Sequence, residues 1–257
     1  MLKGIIPYGI TTVWGNMKYH VFMPCRHSAG DMVCLLSAAR TLAKFTGNEV
    51  TVEEGQDIVE AYGDKDFWFG MDGKSCPVFP ERYHRQKSPG PYFNYYGIYL
   101  YSMGLVALSH PKLDLPIFPR GPAYAVIQTF SHYATNPPME YLQGIVAMFK
   151  DMTGLPVFVI GNTSTSRDLK GVQYDLLRDS LPYLMQVIQN AAFVLTPRSL
   201  SAHVASGYSR PSFVWCPNDG ENWHLDYPDW PCERVLVEEG YAGVEEKMSR
   251  LVRRCRL

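Results

Sequence analysis

The chain has 257 residues, 46% hydrophobic and 19% charged, with a formal net charge of -1 at pH 7. That length suits two domains of roughly 120 to 140 residues, and the near-neutral charge argues against a strongly basic nucleic-acid binder while leaving room for a local patch. No apolar run approaches the ~20 residues of a membrane-spanning helix, the N-terminus does not read as a secretory leader, and the cysteines have neither metal-ligand spacing nor a compact framework, so a cytoplasmic chain with reduced thiols is expected.

In chain order, Val21-Phe22-Met23-Pro24 reads as a strand. Ser28 to Val33 then opens a helix whose apolar face is Leu35, Ala38, Ala39, Leu42 and Phe45. Asp31 stands in its first turn, where the macrodipole favours a carboxylate whatever its role. Asp64-Lys65-Asp66 reads as a solvated turn. Residues 81 to 101 place Arg82, His84, Arg85 and Lys87 ahead of Tyr92, Phe93, Tyr95, Tyr96, Tyr99 and Tyr101. Such a mixture can hold phosphate and stack sugars or bases, although close-spaced aromatics equally pack a core or cover a loop. Pro111, Pro116, Pro119 and Pro122 then make a stiff extended junction. We therefore expect domains at 1–118 and 119–257.

Beyond the junction, Ala123 to Gln128 reads as a strand, followed by a polar loop with Ser131. Met139, Leu142, Ile145, Val146 and Phe149 form a helical stripe that Thr153-Gly154 ends. Leu155 to Ile160 is a second strand, followed by the small polar loop of Gly161 and Asn162. Ser180 starts a helix with Leu181, Leu184, Met185, Ile188 and Ala192 at helical spacing. Ala191 to Leu195 is a short apolar run that suits a parallel strand, and Thr196-Pro197-Arg198-Ser199 breaks it before another helix. These loops follow strand C-termini, where open α/β sheets bind ligands and where helix N-termini face anions. Asp226-Tyr227-Pro228-Asp229-Trp230 is an aromatic, acidic loop that either covers a nucleotide or packs. Val244, Met248, Leu251, Val252 and Cys255 line one face of a last helix. Glu245 and Glu246 lie near its start, and Arg250, Arg253, Arg254 and Arg256 near its end.

The Ser180–Pro211 segment resembles the donor half of the heptosyltransferase-like, family 9 glycosyltransferases. There a Ser-Leu helix start leads to a strand and a turn of the type Asp-Ser/Thr-Gly-Leu-x-His-Leu-x-Ala, closed by a proline eight residues after the histidine. His203 and Pro211 keep that spacing. Pro217-Asn218-Asp219 is similar to the family's Gly-Pro-Thr-Asp segment, and Ser28-Ala29-Gly30-Asp31 to its first strand–helix loop. The departures are Arg198 for the family's acid, Leu200 for its glycine, and Thr135 and Pro137 for the lysine and tryptophan of its Lys-x-Trp-Pro element.

The resemblance implies an α/β GT-B fold, two Rossmann-like domains facing each other across a cleft. The N-terminal domain would take the acceptor and the C-terminal domain a nucleotide-sugar donor. In that family a terminal helix crosses back onto the first domain; an ordinary amphipathic surface helix is the other reading here. The implied reaction is an inverting, metal-independent transfer with Asp31 as base and Gly30 beside it on the acceptor side. The donor would lie near Arg198, Ser199, His203, Ser131, Gly161, Asn162 and Asp219. The acceptor would meet Arg82, Arg85 and Tyr95. No cofactor beyond the nucleotide-sugar co-substrate is expected. A saccharide acceptor leads, with a hydroxymethylated base in DNA as the alternative. A non-catalytic GT-B binding module and a nucleotide-sugar epimerase are the rival classes. The chain is short for the family, so parts of the usual acceptor domain are expected to be missing.

Overall fold

A computed structural model describes residues 5–7, 19–22, 29–47, 50–53, 74–77, 100, 105–107, 113, 115, 117, 123–131, 136–161, 168–177, 180–216, 225, 227, 229–237 and 240–255. The chain divides into two compact units. One holds Met1–Leu115 and Trp223–Pro228, the other Pro116–Asn222 and Asp229–Leu257.

In the first unit, β1 (Ile5–Pro7) pairs antiparallel with β5 (Leu105–Ala107). β2 (Tyr19–Phe22) lies between β3 (Val50–Glu53) and β4 (Lys74–Pro77), parallel to both. The helix α1 (Ala29–Thr46) follows β2. It has no glycine or proline after Gly30, and Val33, Cys34, Leu35, Leu36, Ala38, Ala39 and Leu42 are buried. A helix buried over so much of its circumference is a core helix rather than a surface amphipath. The Cys34 thiol lies 3.5 Å from the Tyr227 hydroxyl, within the same unit.

The second unit is built on one parallel sheet. Its strands are β6 (Ala125–Gln128), β7 (Val157–Ile160), β8 (Phe193–Pro197), β9 (Ser212–Cys216) and β10 (Cys232–Leu236). They lie in the order β10-β9-β8-β6-β7. The helices are α2 (Met139–Thr153), α3 (Leu181–Asn190), α4 (Leu200–Gly207) and α5 (Ala242–Cys255). From β6 the chain runs outward to β7, then returns to the other side of β6 for β8, β9 and β10. This is a doubly wound order, and its switch point falls between the C-terminal ends of β6 and β8.

One sheet face contributes Ala125, Ile127, Val157, Val159, Phe193, Leu195, Phe213, Trp215 and Val235 to the core. Tyr141, Leu142, Ile145, Val146 and Phe149 of α2 meet it there, together with Val244, Met248, Leu251 and Val252 of α5. The apolar stripe of the last helix is thus spent on the second unit's own sheet. α4 packs on β8 and β9 and against α3. Every residue of β8 and β9 is buried, which is why neither strand alternates between apolar and polar residues. Outermost, β10 exposes part of most residues.

Candidate functional site

Three neighbouring strands, β7, β6 and β8, end together at the switch point of the second unit. Their C-terminal ends carry Gly161, Ser131 and the Arg198-Ser199 turn, so these candidates share one end of one sheet. The strand of this turn runs two residues beyond its expected end, through Pro197. Pro197 fits because the pairing with β6 ends at Leu195, so no ladder bond asks for its missing N–H; on the β9 side the bond is made by the next amide, Arg198 donating to the Trp215 carbonyl at 3.1 Å.

Ser199 is the N-cap of α4, in extended conformation, yet its side chain makes no capping bond. Its hydroxyl donates instead to Gln128 Oε1 at 2.7 Å and lies 3.2 Å from Thr196 Oγ1. Gln128 Nε2 donates to the Phe130 carbonyl at 2.7 Å. A side-chain bridge therefore spans the switch point from the last residue of β6 to the cap of α4. Gly161 adjoins it: a Cβ there would come 3.9 Å from Gln128 Cγ. Its φ of 112° suits glycine, since other residues are strained in that region.

Ser131 is buried, and its backbone is held on both sides by Asn136. The Ser131 amide donates to Asn136 Oδ1 at 2.7 Å, and Asn136 Nδ2 donates to the Ser131 carbonyl at 2.8 Å. His203 lies in α4 and is 6% exposed. Its carbonyl accepts from Ser206 Oγ at 2.7 Å. Arg198 is half-buried, one residue ahead of the cap. A cation is disfavoured at the positive end of a helix, so this pairing of guanidinium and macrodipole suits an anion. Burial pushes the nearby Cys216 thiol up, with Arg234 and Arg198 acting against that rise. Among the described residues, no group of three or more His, Cys, Asp or Glu gathers as a metal site.

In the first unit, Gly30 and Asp31 are the second and third residues of α1. Gly30 is buried, and only the backbone of Asp31 is described. With β2 between β3 and β4, the loop from β2 to α1 leaves from a strand whose successors lie on either side of it. That is the switch-point position in its sheet. Asn162, Asp219, Arg82, Arg85 and Tyr95 lie outside the described residues.

Trp230, read from sequence as either nucleotide cover or packing, packs. It is 6% exposed and its indole donates to the Arg210 carbonyl at 2.9 Å. Gln128 belongs to none of the motifs in the sequence. The signal for it was a polar residue closing the apolar strand Ala-Val-Ile-Gln at a ligand-binding edge.

No family model matches the sequence, and no curated protein matches it. Solved structures do. The ADP-heptose lipopolysaccharide heptosyltransferase II of E. coli aligns with a TM-score of 0.61 at 12% identity, over 94% of this chain and 100% of that one. A family 9 glycosyl transferase from Veillonella parvula aligns at 0.57 and 9% identity, over 92% of each chain. TibC, a bacterial iron-containing dodecameric glycosyltransferase from enterotoxigenic E. coli, aligns at 0.53 and 15% identity, over 86% of this chain. The chain spans 62% of TibC's length. At such identities the likeness is one of fold. The class is the α/β GT-B fold; within it, the architecture is that of the heptosyltransferase-like, family 9 glycosyltransferases. No helix among the described residues is long and apolar enough to cross a membrane.

Proposed function

We propose that this protein is a glycosyltransferase that moves a sugar from a nucleotide-sugar donor to an acceptor hydroxyl with inversion. The observation that carries the reading is Arg198 beside the uncapped N-terminus of α4 at the switch point of the second unit's sheet. Backbone N–H groups of the first turn, Arg198 and His203 would face the donor diphosphate, with Ser199 at the turn and the Ser131 and Gly161 loops beside it. Asn162 and Asp219 belong to the same proposed donor surface.

The chemistry is one displacement. A bond forms between the acceptor oxygen and the anomeric carbon as the bond from that carbon to the diphosphate oxygen breaks. The hydroxyl proton goes to Asp31, and the electron pair leaves on the nucleoside diphosphate. Fixed donors and cations aimed at that developing charge lower the barrier. Arg198 and the helix terminus supply positive charge from the chain itself, so the reading calls on no metal ion. Arg198 stands where the resembling family has an acid, which favours phosphate contact over hydrogen bonds to ribose or sugar hydroxyls.

Arg82, Arg85 and Tyr95 are the proposed acceptor contacts, and a saccharide is the proposed acceptor. The test is a panel of nucleotide sugars, with ADP-heptose included because TibC has been captured with it. Release of nucleoside diphosphate from one donor, faster with a saccharide present and little changed by salt, supports the reading. Transfer to DNA carrying a hydroxymethylated base, falling steeply with salt as counterions compete for phosphate, would replace the acceptor. Nucleotide binding without turnover would leave a binding module. Interconversion of the nucleotide sugar without transfer would make the protein an epimerase.

A further inference from the structure

We propose that Gln128 is a positioning residue: it draws the Ser199 hydroxyl off its own helix and so keeps the N-terminus of α4 open to an anion. The inference rests on the donor site proposed above and adds to it a residue outside the resembling motifs.

Serine is among the strongest N-cap residues, because its oxygen accepts from the second or third amide of the helix. Ser180 does this for α3, accepting from the Tyr183 amide. Ser199 occupies the same position on α4 and does not. Its hydroxyl proton goes to Gln128 Oε1, 71 residues away. An amide oxygen can only accept, so the direction of this bond is settled. The amide orientation is settled as well, because Gln128 Nε2 donates to the Phe130 carbonyl. Gly161 packs beside the Gln128 side chain. The glutamine is therefore held by its own loop and adjoins the β7 end while it holds the β8 end.

A capping serine and a bound phosphate compete for the same amides. With Gln128 in place the competitor is withdrawn. In the same first turn, Ser201 Oγ is buried at 1% residue exposure and has no hydrogen-bond partner among the described residues. It is a second polar group there that the described residues do not satisfy. Without Gln128, Ser199 falls back onto α4 as an ordinary cap.

The test compares wild type, Gln128→Met, and Gln128→Met combined with Ser199→Ala, using the full chain and calorimetric titrations with ADP, UDP and GDP. Gln128→Leu serves if methionine does not fold. Gln128→Met should weaken the best nucleotide about fivefold, the weight of one helix cap. Adding Ser199→Ala should recover most of that loss, a reversal that general damage to the fold would not produce. Equal affinity in Gln128→Met and wild type, or weaker binding in the double variant than in the single one, overturns the inference. If wild type binds none of the three nucleotides, the donor reading has failed instead. Amide exchange at Ser201 in the ligand-free protein then decides. It should slow about fivefold in Gln128→Met and return in the double variant. No change there refutes the positioning role.

Discussion

Arg198 and Asp31 carry the proposed chemistry, one in each unit. Arg198 lies one residue before the cap of α4, at the end of the helix where its charge is least welcome. A bound diphosphate reverses that cost. Arg198→Ala should therefore raise the dissociation constant of a nucleoside diphosphate about tenfold, the loss of one charge-assisted contact. Calorimetry with the free nucleotide measures it, and unchanged affinity would make the turn structural only. Asp31 lies in the first turn of α1. If it takes the acceptor proton, Asp31→Ala should slow transfer about 10²–10⁴-fold. Donor affinity should stay close to wild type, because Asp31 serves the acceptor step. Single-turnover rates beside nucleotide titrations separate the two effects.

Among the elements, α2 and β8 show how a helix is fixed to the sheet. Phe149 of α2 and Phe193 of β8 are both fully buried, with ring centroids 4.7 Å apart. Phe149→Ala should destabilise the protein by about 3–5 kcal/mol, from lost transfer energy and the cavity left behind. A denaturant titration reads this as a lower midpoint with an unchanged slope. At the opposite edge, Arg250 of α5 grips Glu233 of β10 through two bonds of 2.8 and 2.6 Å. The Arg250 side chain is 52% exposed, so solvent screening leaves this pair little weight in stability. The last helix was legible as an amphipath from its apolar spacing. Its partner surface was not, because a stripe of Val, Met and Leu fits any apolar face.

For the whole molecule, burial sets an alkaline limit. It pushes the Tyr124 hydroxyl up to about 12, with Tyr183 adding to the rise. That hydroxyl also donates to the Val187 carbonyl at 2.8 Å, which needs the proton in place. Burial raises the Cys216 thiol too. The ordinary values are 10.0 for the tyrosine and 9.0 for the cysteine. In the unfolded chain these groups lose protons that the folded chain keeps. Their contribution is therefore fully present below about pH 9 and lost as pH rises toward 12. Melting temperature should fall progressively above pH 9, and Cys216→Ala should flatten the first part of that fall. A profile unaffected by this substitution would mean that another group dominates.

The sequence by itself determined the local elements that have strong periodic or punctuating signals. Met139 to Phe149 reads as a helix because its apolar residues recur at one face, and Gly154 closes it with a left-handed φ of 67°. Ser180 and Leu181 start α3 because serine caps and Pro182 tolerates the first turn. Residues 191–195 and 123–128 read as strands because their apolar runs show no alternation; the strands form at 193–197 and 125–128, most of their residues buried. The strand 212–216 carries the same kind of signal but was not singled out; the strand 232–236 carries a weaker one, being a half-exposed edge. Strand order was beyond reach, since each parallel strand offers the same backbone ladder to any neighbour. Only the tertiary structure set β6 beside β8, and so brought Gln128 within 2.7 Å of Ser199. A hydrogen bond across 71 residues leaves no periodic trace. It exists because two strand ends distant in sequence meet at one switch point, where the physics of the sheet rather than of the segment decides which side chains touch.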